Sequence, residues 1–160
     1  MDALKEQYHI EVPESLTPEQ QKMMIELEKD AFPGMGAVDE QTLVPLARYG
    51  KLIQYFQEND ARPIAICELL RDYKDVTKAY IFGFYVRSDK QGSGIGQLFL
   101  EEIFSILQKD SFESVCLTVN VKNEGAVKLY KKMGFTIKET RAGEFGEGED
   151  RYYMVRSISQ

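Results

Sequence analysis

A glycine-rich run, Gln91-Gly92-Ser93-Gly94-Ile95-Gly96, lies between a predicted apolar strand (residues 80–86) and an amphipathic helix predicted to begin near Ile95. Glycines let a backbone approach a ligand without interference from a Cβ atom, and the first amides of a helix point outward, where they donate to anions. Tight strand-to-helix turns also use glycine for purely structural reasons. The run therefore predicts either a pyrophosphate site or a structural turn.

The spacing of these glycines argues against two common nucleotide sites. A dinucleotide fingerprint, G-x-G-x-x-G, requires a third glycine at the position that Gln97 occupies. A P-loop ends in Gly-Lys-Ser/Thr, and no such ending follows this run. The segment from Arg87 to Gln91 is also long for a dinucleotide-binding turn. A pyrophosphate bound here is therefore expected to belong to a different class of compound.

A second motif lies further along the chain, in LTVNVKNEGAVKLYKKMGF, residues 117–135. Taken together, Gln91-x-x-Gly94-x-Gly96 and Asn123-x-x-Ala126-x-x-Leu129-Tyr130-x-x-x-Gly134-Phe135 resemble the acetyl-CoA motifs of the GNAT N-acetyltransferase superfamily. The resemblance is closest over residues 80–135 and looser in the flanking strands, so it covers most of one domain. It departs at Ser88, where many relatives carry proline.

The resemblance implies an N-acetyltransferase that moves an acetyl group from acetyl-CoA to a primary amine by direct attack. The acceptor would be a small cationic amine or a protein or peptide amine, and no metal is implied. The implied fold is α/β, with a mixed, mostly antiparallel central sheet, flanking helices and a splayed parallel strand pair at the cofactor site. The implied cofactor-binding residues are Phe84, Tyr85, Val86, Gln91, Gly92, Ser93, Gly94, Ile95, Gly96, Gln97 and Asn123.

Two residues of the second motif have both a structural and a functional interpretation. Helical spacing places Tyr130 with Ala126, Leu129 and Met133 on an apolar face, which predicts ordinary packing. The resemblance instead implies that the Tyr130 phenol donates a proton to the departing thiolate. Asn123 is predicted to cap the following helix, and the resemblance implies a polar contact at the cofactor or support for the splayed strand.

The general base is harder to assign, because residues 80–86 contain no carboxylate where some relatives place a glutamate. Glu68, on the preceding strand, and Tyr85 are candidates, and a water relay is an alternative. Glu68 is equally well explained as a solvent-facing strand residue. The missing glutamate also supports a different class of function, a non-catalytic acetyl-CoA-binding sensor or regulatory module, whereas Tyr130 and the complete glycine run argue for an enzyme.

Composition sets wider limits on organisation and partners. The 160 residues, 43% of them hydrophobic, fit a single domain spanning residues 1–160. The net charge of −6 disfavours nucleic acid as the main partner; it fits a cationic substrate or serves solubility alone.

No apolar run approaches the length of a membrane span and residues 1–10 lack a signal-peptide core, so no membrane partner and a cytoplasmic location are expected. Monomer and homodimer both stay open.

Isolated residues add smaller constraints. Cys67 and Cys116 lie in apolar strand-like runs and are predicted to be buried thiols, while His9 is predicted to lie on the surface. The segment 143–150 carries four acids among three glycines. It predicts either a flexible acidic loop that attracts a cationic acceptor or a solvated surface hairpin.

Periodicity and capping signals predict the remaining elements. Thr17 and Gln20 predict a capped helix over residues 18–31, broken by Pro33 to Gly36, and a second short helix is predicted over residues 39–49, where Pro45 predicts a kink or a division. The helix after the glycine run is predicted to bury Ile95, Leu98, Phe99, Ile103, Ile106 and Leu107. Further strands are predicted at 8–12, 52–57, 63–70, 79–86, 115–120, 135–140 and 152–158, with a last helix over 123–133.

Overall fold

The computed structural model describes residues 7–33 and 38–158, and its helices and strands follow the predicted order. The elements are β1 (Tyr8–Glu11), α1 (Pro18–Ala31), α2 (Glu40–Tyr49), β2 (Lys51–Gln57), β3 (Ala65–Arg71), β4 (Lys78–Val86), a 3₁₀ turn (Ser88–Lys90), α3 (Ile95–Lys109), β5 (Ser114–Asn120), α4 (Glu124–Lys132), β6 (Thr136–Arg141) and β7 (Arg151–Ser157).

The strands hydrogen-bond in the order β1-β2-β3-β4-β5-β7-β6. The pairs β1–β2, β2–β3, β5–β7 and β6–β7 are antiparallel, and β4–β5 is parallel. The register of the parallel pair runs from Lys78↔Ser114 to Ile81↔Leu117, whereas β4 itself extends to Val86. The predicted α/β class, with a mixed and mostly antiparallel sheet that contains one parallel pair, is confirmed.

The chain forms two compact units and passes from one to the other within β4 and within α3. The first unit consists of Met1–Leu70 and Phe82–Phe99, and the second of Arg71–Ile81 and Leu100–Gln160.

In the first unit, α1 and α2 pack on the sheet through a single apolar cluster. Ring stacking adds a second contact, in which Phe99 of α3 lies 4.9 Å from the ring centroid of Tyr55 and 5.6 Å from that of Phe84. The buried members of the apolar cluster are Met24, Leu27, Leu43, Leu46, Ala47, Leu52, Ile66 and Tyr85.

The start of α1 is fixed by a capping box. The Thr17 hydroxyl accepts a hydrogen bond from the Gln20 amide (3.1 Å), and the Gln20 side chain accepts one from the Thr17 amide (2.8 Å). Pro18 occupies the first helical position, where its missing N–H removes no helical hydrogen bond. The predicted helix over residues 18–31 is confirmed; residues 34–36 of the predicted break lie outside the described residues.

The second helix shows one departure from expectation. Asp39 caps α2 by accepting from the Thr42 amide at 3.1 Å, and the helix ends at Gly50. Of the two predicted effects of Pro45, a kink or a division of the helix, the division is excluded, because α2 continues through Pro45. Proline forfeits one backbone hydrogen bond there, and the burial of Leu43 and Leu46 on either side compensates for that loss.

In the second unit, Phe135 is the centre of an aromatic cluster. Its ring lies 6.0 Å from that of Phe104 on α3 and 5.5 Å from that of Tyr130 on α4, and the Arg156 guanidinium lies over Phe104 at 3.9 Å. Gly134, at φ +94°, ends α4 as predicted. Other buried side chains of this unit are Leu100, Ile103, Leu107, Val115, Leu117 and Met154.

The buried face of α3 is wider than predicted. Leu100 and Phe104 are buried in addition to the predicted set, and Leu98 and Ile106 are only half-buried. The free thiols of Cys67 and Cys116 are both buried, and His9 is exposed, as predicted. None of the described helices has the length and apolar character needed to cross a bilayer.

Removing the capping box should destabilise the protein measurably. Thr17→Ala is expected to lower the free energy of unfolding by about 1 kcal/mol, because the first turn of α1 loses its side-chain acceptor. Urea unfolding followed by circular dichroism measures this change. The matched control is Lys22→Ala on the exposed surface of the same helix. A Thr17→Ala protein as stable as that control would contradict the role of the cap.

Candidate functional site

The glycine turn has the conformation that only glycine adopts readily. Gly92 and Gly94 have φ values of +77° and +84°. Apart from its neighbours in the chain, no described residue has a heavy atom within 4 Å of the position that a Cβ atom would take at either glycine, so these contacts do not require glycine for packing. The turn thus combines a left-handed backbone with open space beside it, which is the arrangement that lets a ligand approach main-chain amides.

The first amides of α3 have no acceptor within the helix. Because α3 begins at Ile95, Leu98 is the first amide to donate back along the chain, to the Gly94 carbonyl at 3.3 Å, and the N–H groups of Ile95, Gly96 and Gln97 come before it. The partial positive charge of the helix N-terminus adds to their attraction for phosphate oxygens. The turn therefore fits a pyrophosphate group.

The polar side chains of the turn brace it from within. Gln91 donates from its side chain to the Val86 carbonyl (2.9 Å) and from its amide to the Ser88 carbonyl (3.4 Å). The Ser93 hydroxyl donates to the Lys90 carbonyl at 2.6 Å. These bonds make Gln91 and Ser93 supports of the turn, so its later amides are the ones left for a ligand.

Two aromatic side chains at the end of β4 make ring contacts within the first unit. Phe84 stacks on Phe99, and the buried Tyr85 ring meets Phe32 edge-on at 5.6 Å. Burial, followed by the charges of Glu68 and Glu28, raises the pKa of Tyr85 well above its usual range, which makes it a poor base at neutral pH. Val86 is half-buried. A ligand beside this strand would meet mainly its backbone.

Glu68 is buried, so its interpretation as a solvent-facing strand residue is wrong. The residue is 1% exposed, and neither of its carboxylate oxygens has a hydrogen-bond partner among the described residues. A Cβ atom placed on Gly83 would lie 2.1 Å from Glu68 Oε1. The carboxyl group therefore occupies the space left by the missing side chain of Gly83, and any larger residue there would expel it.

Burial gives Glu68 an unusual acidity. Desolvation, assisted by the charge of Glu28, raises the pKa of Glu68 to about 8, and desolvation raises the pKa of Glu28, on α1, to about 7. Both groups therefore exchange protons near neutral pH, in the range suited to general acid–base chemistry.

In the second unit, Tyr130 and Asn123 have the structural roles that were expected of them. Tyr130 is 7% exposed and packs edge-on against Phe135, and Asn123 caps α4 by accepting from the Ala126 amide at 3.2 Å. Their implied roles at the cofactor stay predictions, since packing and capping leave those roles open.

The sequence analysis missed a pair of hydroxyl groups on the parallel strands. Tyr80 Oη lies 3.3 Å from Thr118 Oγ1. A tyrosine at the start of the segment that was searched for a carboxylate was the available signal, but its partner on β5 could not be identified before the register was known. Because each hydroxyl can both donate and accept a hydrogen bond, the pair could relay a proton.

The acidic segment 143–150 is a hairpin loop held by its own side chains. The Gly143 amide donates to Asp150 Oδ1 (2.9 Å), and Asn120 donates to Glu149 Oε2 (2.9 Å). Arg141 also pairs with Glu144. Three of the four acids therefore have partners within the unit, but two of those partners are neutral amides, so the Arg141–Glu144 pair is the contact here that offsets a negative charge.

Among the residues that the structure describes, no three His, Cys, Asp or Glu side chains come together in a way that would hold a metal ion.

Comparisons with known proteins agree on one family. The model of the family described as "Acetyltransferase (GNAT) family" matches residues 4–135. The chain is 29% identical over 127 residues to the probable N-acetyltransferase san of Drosophila melanogaster, covering 79% of this chain and 68% of that protein. It is 25% identical over 146 residues to N-alpha-acetyltransferase 50 of Danio rerio, covering 89% and 86%.

A solved structure shows the same fold. Arabidopsis thaliana Naa50, in complex with the bisubstrate analogue CoA-Ac-MVNAL, superposes with a TM-score of 0.74 at 20% identity, covering 94% of this chain and 99% of that one.

The raised pKa of Glu68 predicts a pH-dependent stability. In the unfolded chain this carboxyl loses its proton near pH 4.5, whereas in the folded protein it holds the proton up to about pH 8. The free energy of unfolding should therefore fall as pH rises between these values, by on the order of a few kcal/mol. Urea unfolding at intervals from pH 5 to pH 9 measures the slope.

Glu68→Gln should make this slope shallower, because glutamine does not titrate, and should leave the contribution of Glu28, whose pKa is raised to about 7. The matched control is Glu58→Gln, an exposed glutamate outside this cluster, which should leave the slope unchanged. If Glu68→Gln and the wild type lose stability equally between pH 5 and pH 9, Glu68 is ionised in the folded protein at neutral pH and its assigned acidity is wrong.

Proposed function

Because the chain belongs to the GNAT acetyltransferase family and is an acyltransferase, we propose that it moves an acetyl group from acetyl-CoA to the free α-amine of a peptide or protein. Acetyl-CoA as the donor is supported by the turn at Gly92 and Gly94, whose left-handed backbone leads directly into the N-terminus of α3. The acceptor class is supported by the relatives, since one is named N-alpha-acetyltransferase 50 and one structure holds the analogue CoA-Ac-MVNAL.

The glycine turn and the helix it precedes would hold the donor. The amides of Ile95, Gly96 and Gln97 would donate to the pyrophosphate, and the open space beside Gly92 and Gly94 leaves room for it. Acetyl-CoA supplies the activated acetyl thioester. Membership of an acyltransferase family supports catalysis rather than passive binding, and it disfavours the alternative of a non-catalytic sensor.

An α-amine is an acceptor that this chain's acids could help to deprotonate. Its ordinary pKa lies near 8, whereas that of a lysine side chain lies above 10. A proton acceptor works best when its own pKa lies close to the operating pH. Glu68, with a pKa of about 8, fits that requirement, and the hydrogen-bonded hydroxyls of Tyr80 and Thr118 offer a second route for the proton.

The departing thiolate of CoA needs a proton, and we assign its delivery to the Tyr130 phenol. This assignment rests on the match of Leu129-Tyr130 and Gly134-Phe135 to the family's second motif. The buried position of Tyr130 and its edge-on contact with Phe135 would hold the ring in one orientation.

Removing the Tyr130 hydroxyl should reduce turnover without loss of donor binding. Tyr130→Phe is expected to lower kcat by roughly ten- to a thousandfold, the usual contribution of a general acid, while the Kd for acetyl-CoA stays unchanged. Thiol release with a panel of N-terminal peptides and calorimetric titration with acetyl-CoA measure the two effects. Gly94→Glu is the opposite control, because it should abolish acetyl-CoA binding. Unchanged turnover in Tyr130→Phe would remove this phenol from the mechanism.

The pH profile separates the two candidate proton acceptors. If Glu68 is the base, kcat/KM rises with two ionisations near pH 8, that of Glu68 and that of the α-amine itself, and Glu68→Gln lowers kcat/KM and leaves the shallower rise of the amine alone. If the hydroxyl pair carries the proton, Tyr80→Phe lowers kcat/KM and Glu68→Gln leaves the profile in place. Both variants are assayed with one peptide from pH 6 to pH 10. If neither variant changes the profile, both assignments are wrong and a water relay takes their place.

A further inference from the structure

Within the described residues, the glycine turn makes few contacts that fix its position. The Cβ positions of Gly92 and Gly94 face open space, and the hydrogen bonds of Gln91 and Ser93 run back to the segment just before them. On one side the turn continues into α3, where Ile95 is buried, and on the other side its position depends on what holds that preceding segment, residues 87–90.

Arg87 holds this segment from one side. Its guanidinium is almost fully buried and donates to Asp89 (2.6 and 3.1 Å), to Asp60 (2.7 Å) and, more weakly, to the carbonyls of Arg62 and Pro63. The bonds to two carboxylates raise the pKa of Arg87 and hold those of Asp60 and Asp89 below their usual range. This set of contacts, the Arg87 clamp, fixes the start of the segment to the connection between β2 and β3.

Asp30 of α1 holds the same segment from the other side. One carboxylate oxygen accepts a hydrogen bond from the Ser88 amide (3.2 Å), and the other accepts one from the Ser88 hydroxyl (3.0 Å). Ser88 begins the 3₁₀ turn that leads to Gln91. The segment is thus fixed at Arg87 by the clamp and at Ser88 by α1.

The position of Asp30 in α1 favours a role in the two hydrogen bonds to Ser88 over a role in stabilising the helix. It lies in the last turn of α1, where the helix dipole favours cations and opposes a carboxylate. Aspartate is also a weak helix former. Helix stability therefore does not explain the residue, whereas the paired acceptors that it offers to Ser88 do.

We propose that Asp30 is a positioning residue for the glycine turn, acting through Ser88 against the fixed point of the Arg87 clamp, and that it sets the affinity for the pyrophosphate of acetyl-CoA. This inference rests on the proposed function of the turn. It predicts that removal of Asp30 weakens acetyl-CoA binding, which is the opposite of what the charge of Asp30 alone would predict. A carboxylate near an anion site repels the anion, so its removal would tighten binding if charge alone mattered.

Asp30→Ala is therefore expected to weaken acetyl-CoA binding by about three- to tenfold, the size expected when two exposed hydrogen bonds are lost. KM for acetyl-CoA should rise by the same factor, with kcat at saturating acetyl-CoA unchanged. The matched control is Glu26→Ala, an exposed acid on the same helix that lines the same cavity, of about 370 Å³, as Asp30. Its binding should equal that of the wild type or be slightly tighter.

A second variant tests whether Asp30 acts by restraining the turn. Arg87 has φ −54° and ψ 139°, a conformation that proline favours in the residue before it, so Ser88→Pro fits the backbone. In the Asp30→Ala background the Ser88 amide has already lost its partner, and the proline ring would restrain the turn in place of Asp30. Asp30→Ala/Ser88→Pro should bind acetyl-CoA more tightly than Asp30→Ala/Ser88→Ala.

The outcomes separate this inference from the proposed function. If the wild type does not bind acetyl-CoA, the proposed function fails. If the wild type binds and Asp30→Ala binds equally well or more tightly, the positioning role alone is overturned. Equal affinities of the two double variants would also overturn it, because restraint of the turn would then have no effect. Urea midpoints of all variants show whether each is folded in the assay.

Discussion

The buried guanidinium of Arg87 fixes the point where β4 ends and the glycine turn begins. A cation removed from water is tolerated only when it is paired and its donors are satisfied. Arg87 meets that requirement with two carboxylates and two main-chain carbonyls, which arginine reaches with its planar set of five donors. Because Asp60 comes from a different part of the chain than Asp89, the pairing ties the turn to the sheet that carries it.

The elements were predictable wherever a local signal decided them. Thr17 and Gln20 defined the start of α1, and Gly134 the end of α4, because caps and left-handed residues act within a few positions of themselves. The buried face of α3 was less predictable. This helix contributes Phe99 to one compact unit and Leu100 to the other, so its buried surface is wider than a single amphipathic stripe.

The candidate site was predictable in its donor half and not in its acids. The glycine turn was recognisable because the identity and the spacing of its glycines are local features of the sequence. The interpretation of Glu68 as solvent-facing was wrong for a physical reason. Alternation of polar and apolar residues along a strand predicts a solvent-facing side chain only when one face of the strand is exposed, and residues 65–69 of β3 are all buried. The space that accepts its carboxyl comes from Gly83 on the neighbouring strand, which no local pattern around Glu68 reveals. The Tyr80–Thr118 pair was hidden for the same reason.

The last turn of α1 contains two acidic residues that local helix preferences disfavour. Glu28 and Asp30 are acids at the end of a helix, where the dipole favours cations, and Glu28 is also desolvated. Asp30 is matched by a partner outside the helix, because Ser88 donates two hydrogen bonds to it, and the charge of Glu28 contributes to the raised pKa of the buried Glu68. Violations of local preference that have such specific partners are typical of functional regions. The end of α1 therefore influences both the buried acid and the glycine turn, the acid through charge and the turn through hydrogen bonds.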